Sequence, residues 1–297
     1  MKKILLCFLA LYLKTAVAGN FDCTPLTGTE WQELSDGVSW TKYDLAFTPY
    51  LKEQHQWNEV KSRSVTVRAF KIDYTKNKLN FYGAKKDLSC SPEKDRYIKR
   101  LIDDSGKKII GAINSNFFVM PNGSIQGIAI DEEKSWSANL NSQTISSSGV
   151  LSIENGQPSL VAKDTFIMRF GTVISETDVA KLSFAVQAYP KLLIDNILQI
   201  SDGVLDSKRS RTSIGFAENP DEIILVTIDA RGENDKTGMS LFEFAHFLNK
   251  STCGVGQRTV LNLDGGGSTS FAIPALEIYE QADRCRHLGN ILTIQSR

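Results

Sequence analysis

The stretch Val260-Leu261-Asn262-Leu263-Asp264-Gly265-Gly266-Gly267-Ser268-Thr269-Ser270 runs from an apolar strand into a carboxylate and then into three consecutive glycines. A simple turn rarely needs so much glycine. Glycine permits φ > 0 and a close backbone approach, so the pattern points to a loop whose N–H groups face something rich in oxygen. Two familiar motifs do not fit. A phosphate-cradling P-loop needs a Lys before its Ser or Thr, and none is present; a nucleophile elbow needs Gly two residues to either side of the Ser, whereas Ser268 has Gly266 before it and Ser270 after it. From this segment alone, a glycine-rich hairpin with a capping Asp is an equal alternative.

Working outward, other apolar runs end in the same polar chemistry. Val65–Ile72 alternates as a half-buried strand, while Ile109–Ile113 and Ile223–Ile228 are continuous apolar runs suited to central strands. The run from Ile109 delivers Asn114, the run from Ile223 delivers Asp229 and then Arg231, and the run from Thr259 delivers Asn262 and Asp264. If these strands are neighbours with aligned ends, the polar groups converge at one rim of a sheet, a usual place for a ligand crevice. Helices are fewer. Ser240 and Glu243 form a capping-box pattern ahead of Leu241, Phe244, Ala245 and Leu248, and a second helix is expected after Ser91-Pro92 with Tyr97, Ile98, Leu101 and Ile102 on one face. His246 lies beside the first helix's apolar stripe, where a packing role is expected. These elements predict an α+β fold, a single domain with a mixed central β-sheet flanked by helices, preceded by a decorating segment over residues 19–60.

The N-terminus and the cysteines bear on compartment. Lys2 and Lys3 precede the apolar run Ile4–Leu13, and Ala16-Val17-Ala18 follows as a small-x-small cleavage signal, which together read as a secretory signal peptide over residues 1–18. The run is too short to span a bilayer, and no later run is long enough either, so no transmembrane segment is expected in the mature chain. Cleavage would leave Cys23, Cys90, Cys253 and Cys285, an even number that favours two disulfides in an exported chain. Cys23–Cys90 and Cys253–Cys285 are expected, since each pair lies within one half of the sequence. Loss of Lys2, Lys3 and Lys14 leaves 31 of the 34 basic residues against 34 acidic ones, a formal charge of −3 that argues against nucleic acid as a partner.

Several of these segments also occur together, and in order, elsewhere. Asn114-Ser115-Asn116-Phe117-Phe118, Gln187-Ala188-Tyr189-Pro190 with the following Lys191–Ile194, Arg211-Thr212-Ser213-Ile214-Gly215, Asp229-Ala230-Arg231 followed by Gly238–Leu241, and Leu261–Thr269 resemble the motifs of the phosphodiester glycosidase family. Arg286 to Asn290 is similar to that family's closing Arg-x-x-x-Asn element, so the resemblance extends over roughly residues 65–297. The Arg-Thr-Ser-Ile-Gly and Asp-Gly-Gly-Gly-Ser-Thr segments are its distinctive parts. Two departures stand out. Ser115 and Asn116 replace the glycines of the family's usual Asn-Gly-Gly-Phe-Phe, and Gln187–Pro190 replaces a glycine-proline turn, changes expected to narrow or reshape the crevice.

The resemblance implies an exported hydrolase, periplasmic or secreted, that cleaves a sugar from a sugar-1-phosphodiester at the anomeric carbon and releases a phosphate monoester. Such a site holds an anionic diester beside an oxocarbenium-like transition state. Arg211, Arg231 and Arg286 are then forks for phosphate oxygens, with Asn114, Asn262, the Gly265, Gly266 and Gly267 backbone, Ser268 and Thr269 as further substrate-binding groups. Asp264 and Asp229 are the catalytic carboxylates, one as nucleophile or electrostatic stabiliser and the other as base for water, in either order. A phosphate monoester, with a second pKa near ~6, leaves without much help from an acid, so a histidine is dispensable. No cofactor is demanded, though Ca²⁺ is a plausible hard cation among Asp229, Asp264 and amide oxygens. The rival reading is a non-catalytic periplasmic module binding sugar phosphates or an envelope glycan. A third is a serine hydrolase using Ser268, disfavoured because no motif places a histidine to activate it.

Overall fold

The computed structural model describes residues 21–51, 55–58, 62–83, 96–119, 123–133, 135–137, 148–162, 165, 175–202, 207–230, 238–250, 253 and 255–297. The described chain is dominated by antiparallel β-sheet. A nine-stranded sheet runs in the order Cys23–Pro25, Val38–Phe47, Arg63–Asp73, Glu222–Ala230, Arg211–Phe216, Thr259–Asn262, Lys191–Ile194 and Ile197–Leu198, with Gln32–Ser35 paired onto Val38–Phe47. A five-stranded sheet contains Ile278–Gln281, Ser270–Ile273, Gly111–Asn114, Ile291–Ser296 and Asn77–Tyr82, and a second contains Ser135–Ser137, Ala129–Asp131, Leu182–Ala188, Gly149–Glu154 and Gln157–Ala162.

This overturns the expected mixed sheet flanked by helices. The α-helices among the described residues are Tyr97–Ser105, Glu176–Val179 and Leu241–Leu248, too few to flank such sheets. The misleading signal was continuous apolarity, which suits a parallel strand buried on both faces. Glu222–Ala230 is buried on both faces while pairing antiparallel with both neighbours. Its Ile223 and Leu225 face an inter-sheet core with Phe271, Leu292, Leu151 and Phe184. Its Ile224, Val226 and Ile228 face a second core with Phe21, Phe47, Phe244, Phe247 and Leu248. A second sheet on one side and a helix with N-terminal residues on the other give the burial that a parallel sheet would have needed crossover helices to supply.

Both expected helices form. Ser240 accepts from the Glu243 N–H at 3.1 Å and the Glu243 carboxylate accepts from the Ser240 N–H at 2.8 Å, completing the capping box. The other Glu243 oxygen accepts from the Tyr50 N–H at 2.7 Å and so ties residues before the main motifs to this helix. Tyr97–Ser105 buries Tyr97, Ile98, Leu101 and Ile102 against Ala112, Ala272 and Ile291, though its N-cap is Arg96 and Ser91-Pro92 fall outside the described residues. Val38–Phe47 pairs residue by residue with Arg63 to Ile72, so residues 38–47 are an integral strand of the sheet. His246 packs among Phe21, Trp57 and Phe242, and burial lowers its pKa to about 4, as a packing group would show.

The disulfide pairing also differs from expectation: Cys23 is bonded to Cys253 across a separation of 230 residues. Proximity in sequence was the wrong guide, because sheet order places Cys23–Pro25 beside Val38–Phe47, whose Tyr43 hydroxyl donates to the Cys253 carbonyl at 2.5 Å. Cys285 is disulfide-bonded as well, and not to Cys253; Cys90 lies outside the described residues.

Candidate active site

Three adjacent strands bring their ends to one rim. Thr259–Asn262 is the middle strand and runs toward the rim, while its antiparallel neighbours Arg211–Phe216 and Lys191–Ile194 start there. The loop that leaves the middle strand through Asp264 therefore passes between Arg209-Ser210 on one side and Tyr189-Pro190 on the other. A pocket of about 210 Å³ opens between them, lined among others by Phe117, Tyr189, Arg209, Arg211, Asn262 and Asp264, with Gly265 and Gly266.

The loop geometry explains the glycines. Gly266 has φ +60, in the left-handed region, and starts the single 3-10 turn Gly266–Ser268. A Cβ on Gly265 would lie 3.0 Å from the Ser210 carbonyl oxygen, so the loop packs directly on the neighbouring strand's entry. The Gly265 N–H donates to Asp264 Oδ1 at 2.9 Å and the Gly266 N–H to the Ser210 carbonyl at 2.8 Å. Both of these donors thus hold the loop together, contrary to the expectation that they face a ligand.

Asp264 is fixed from several directions. Its N–H donates to the Ser115 carbonyl at 3.1 Å, and its own carbonyl accepts from Asn114 Nδ2 at 2.6 Å. Burial pushes the Asp264 carboxyl above the usual carboxylate range, against the opposing pull of the Ser268 hydroxyl, the Gly265 N–H and the Arg286 charge. Ser268 is wholly buried, and its oxygen accepts from Arg286 Nε at 3.0 Å, so it relays the exposed Arg286 onto Asp264. Both functions of this serine are engaged and no histidine adjoins it among the described contacts, which leaves no basis for a serine nucleophile.

Arg211 is the buried cation of the pocket, 7% exposed. Its Nε donates to the Met239 carbonyl at 3.0 Å and its NH2 to the Ser207 carbonyl, with no further hydrogen bond among the described residues. Burial, and then the neighbouring Arg209 charge, depress its pKa to about 10, against the smaller opposing pull of the Glu243 carboxylate. Arg209 was missed in the sequence. The available signal was simple: in an extended segment, residues two apart share a face, which puts Arg209 with Arg211.

The other expected site residues divide. Asn262 lines the pocket; its Nδ2 donates to the Tyr189 carbonyl at 2.8 Å, while its Oδ1 is buried with no partner among the described residues. Asn114 is 1% exposed, and its Oδ1 accepts from Thr212 Oγ1 at 2.8 Å and the Ser270 N–H at 3.0 Å, which makes it a pin between strands. Thr269 is buried, and Gly267 packs against Arg286 and Asp283. Asp229 lies at the same end of the sheet but is not among the pocket-lining residues; it pairs at 2.9 Å with Arg68, whose other nitrogen is 3.6 Å from Glu280. Arg231 lies outside the described residues. Asn116 does not line the pocket: it is 1% exposed and bonded to Asn290, Ile128 and Gln187. With Asp229 committed to a guanidinium and no cluster of three His, Cys, Asp or Glu among the described residues, the donor set does not suit Ca²⁺ between Asp229 and Asp264.

Comparison with known proteins bears on this rim directly. A profile of the phosphodiester glycosidase family matches residues 107–295, well over half of the chain and containing every pocket-lining residue named above. The chain belongs to the phosphodiester glycosidase family. Membership makes it a hydrolase, and a sugar phosphodiester is the family's substrate. Among solved structures, the catalytic domain of zebrafish N-acetylglucosamine-1-phosphodiester alpha-N-acetylglucosaminidase, described as auto-inhibited by its pro-peptide, is similar with a TM-score of 0.65. The two are 16% identical, over 94% of this chain and 89% of that one. A hypothetical protein from Synechocystis is similar with a TM-score of 0.56 and 15% identity, over 90% of this chain and 64% of the other. At such identities the likeness concerns the fold. A search of curated sequences returns no significant match.

Proposed function

We propose that this glycosidase cleaves a sugar-1-phosphodiester between the anomeric carbon and the bridging oxygen, with water ending on the sugar and a phosphate monoester leaving. The observation that carries the reading is that one small pocket is lined by Arg209, Arg211 and Asp264 together, and that Asp264 is the only acid among the described lining residues. The arginines bind the diester oxygens, which offsets the cost of burying Arg211 beside a second guanidinium. Asp264 lies beside the anomeric carbon and stabilises the positive charge that develops there, in surroundings poor in water where that interaction is strong. The leaving monoester needs no acid, consistent with a pocket lined by no histidine.

The protein works outside the cytoplasm, in an oxidising compartment where the Cys23–Cys253 bond persists. Among the described residues no helix is long and apolar enough to cross a membrane. The test is release of sugar and phosphate monoester from an activated sugar phosphodiester. Asp264→Asn keeps the shape and removes the charge, and should lower turnover by orders of magnitude. Ser268→Ala removes a hydrogen-bond relay and should cost about tenfold or less, on the order of ~1 kcal/mol. Full activity in the Asp264 variant removes the carboxylate from the mechanism; complete loss confined to the Ser268 variant restores the serine reading.

A further inference from the structure

We infer that Tyr189, backed by Phe117 and held by Asn262, is the platform on which the sugar ring rests, so that this pocket selects a pyranose and not merely a phosphodiester. The inference rests on the function proposed above and deepens it.

The strand order arranges three chemistries in sequence across the rim. Arg209 and Arg211 belong to the chain entering one flanking strand, Asp264 to the loop leaving the middle strand, and Tyr189 to the chain entering the other flanking strand. Adjacent strands lie about 4.8 Å apart, so the cations and the aromatic wall are separated by roughly twice that distance with the carboxylate between them. A sugar-1-phosphodiester has the same order: anionic phosphate, reacting anomeric carbon, then ring. With phosphate on the arginines and the anomeric carbon at Asp264, the ring falls against Tyr189.

The wall is built to hold its place. The Tyr189 ring stacks on Phe117 with centroids 4.3 Å apart and planes 19° from parallel. Behind it, Asn262 Nδ2 donates to the Tyr189 carbonyl at 2.8 Å, and the Asn262 N–H donates to the Pro190 carbonyl at 3.1 Å. The same asparagine is 4% exposed and lines the pocket, and its buried Oδ1 has no partner among the described residues. An aromatic face held in this way suits a ring that offers C–H groups to it.

The experiment is calorimetric titration of the full chain with glucose 1-phosphate, N-acetylglucosamine 1-phosphate and inorganic phosphate, for the parent, Tyr189→Ala and Tyr189→Phe. The better sugar phosphate is expected to bind the parent about tenfold tighter than inorganic phosphate, an advantage of the size aromatic stacking supplies. Tyr189→Ala should erase that advantage while leaving inorganic phosphate affinity unchanged, which also shows that the variant is folded; Tyr189→Phe should keep it. A Tyr189→Ala protein that retains the sugar preference, or loses both ligands equally, overturns the platform. A parent that binds inorganic phosphate but no sugar phosphate more tightly overturns the platform alone, whereas a parent that binds neither overturns the anion pocket with it.

Discussion

Replacing Asn114 by Ala should cost about 3 kcal/mol of stability. The Asn114 side chain makes three hydrogen bonds, two of them fully buried: it donates to the Asp264 carbonyl at 2.6 Å and accepts from Thr212 Oγ1 at 2.8 Å and from the Ser270 N–H at 3.0 Å. At about 1 kcal/mol net for each bond the loss is about 3 kcal/mol, rising toward 5 because the abandoned partners stay wholly or partly buried. For a chain of this size that lowers the melting temperature by roughly 6–10 °C. The same change frees the main chain at Asp264, so turnover should fall although Asn114 is not among the described pocket-lining residues. Urea unfolding of Asn114→Ala, Thr212→Val and the double variant apportions the effect. Thr212→Val alone should cost about 1 kcal/mol, and in the Asn114→Ala background almost nothing, a coupling of about 1 kcal/mol. Purely additive costs, or a loss below about 1 kcal/mol for Asn114→Ala, would refute the pinning argument.

Asp264 should reveal itself as a residue held for activity at the expense of stability. Its folded pKa is raised by burial above the unfolded value of about 3.9, so its favourable contribution is complete below that value and is lost as pH rises through the folded pKa. Asp264→Asn should therefore gain stability relative to the parent between about pH 3.5 and neutrality; urea midpoints at the two ends check the sign, and an advantage that shrinks with rising pH contradicts it. Non-reducing peptide mapping of protein made in an oxidising compartment should recover Cys23 linked to Cys253 and a mature chain beginning near Gly19, whereas a free thiol at either cysteine would discard the assigned bridge.

Local patterns in this sequence were legible, and pairings distant in sequence were not. The Ser240–Glu243 capping box and the Tyr97, Ile98, Leu101, Ile102 face can be read because every residue involved lies within a turn or two of its partner. The Asp-Gly-Gly-Gly loop likewise announced itself, because a left-handed Gly266 and a Gly265 pressed on Ser210 leave a compositional mark. What sits beside that loop depends on sheet order. Nothing near Asp264 in sequence indicates that Tyr189 and Arg209 flank it, or that Cys253 reaches Cys23. Asp229 shows the limit most plainly. The apolar run places it at a strand end, but alternation puts it with Ile223 and Leu225 on the face toward the second sheet, where Arg68 claims it. The continuous apolar run marks a central strand but not what covers it, because burial on both faces looks the same whether a helix or another sheet supplies it.

The central claim is that Asp264 and the two arginines direct cleavage to the sugar side of the bridging oxygen. Hydrolysis of a sugar-1-phosphodiester in ¹⁸O-labelled water, followed by mass analysis of both products, tests it most directly. Cleavage at the anomeric carbon predicts the label in the released sugar and an unlabelled phosphate monoester; label in the phosphate would mean attack at phosphorus and would contradict the account.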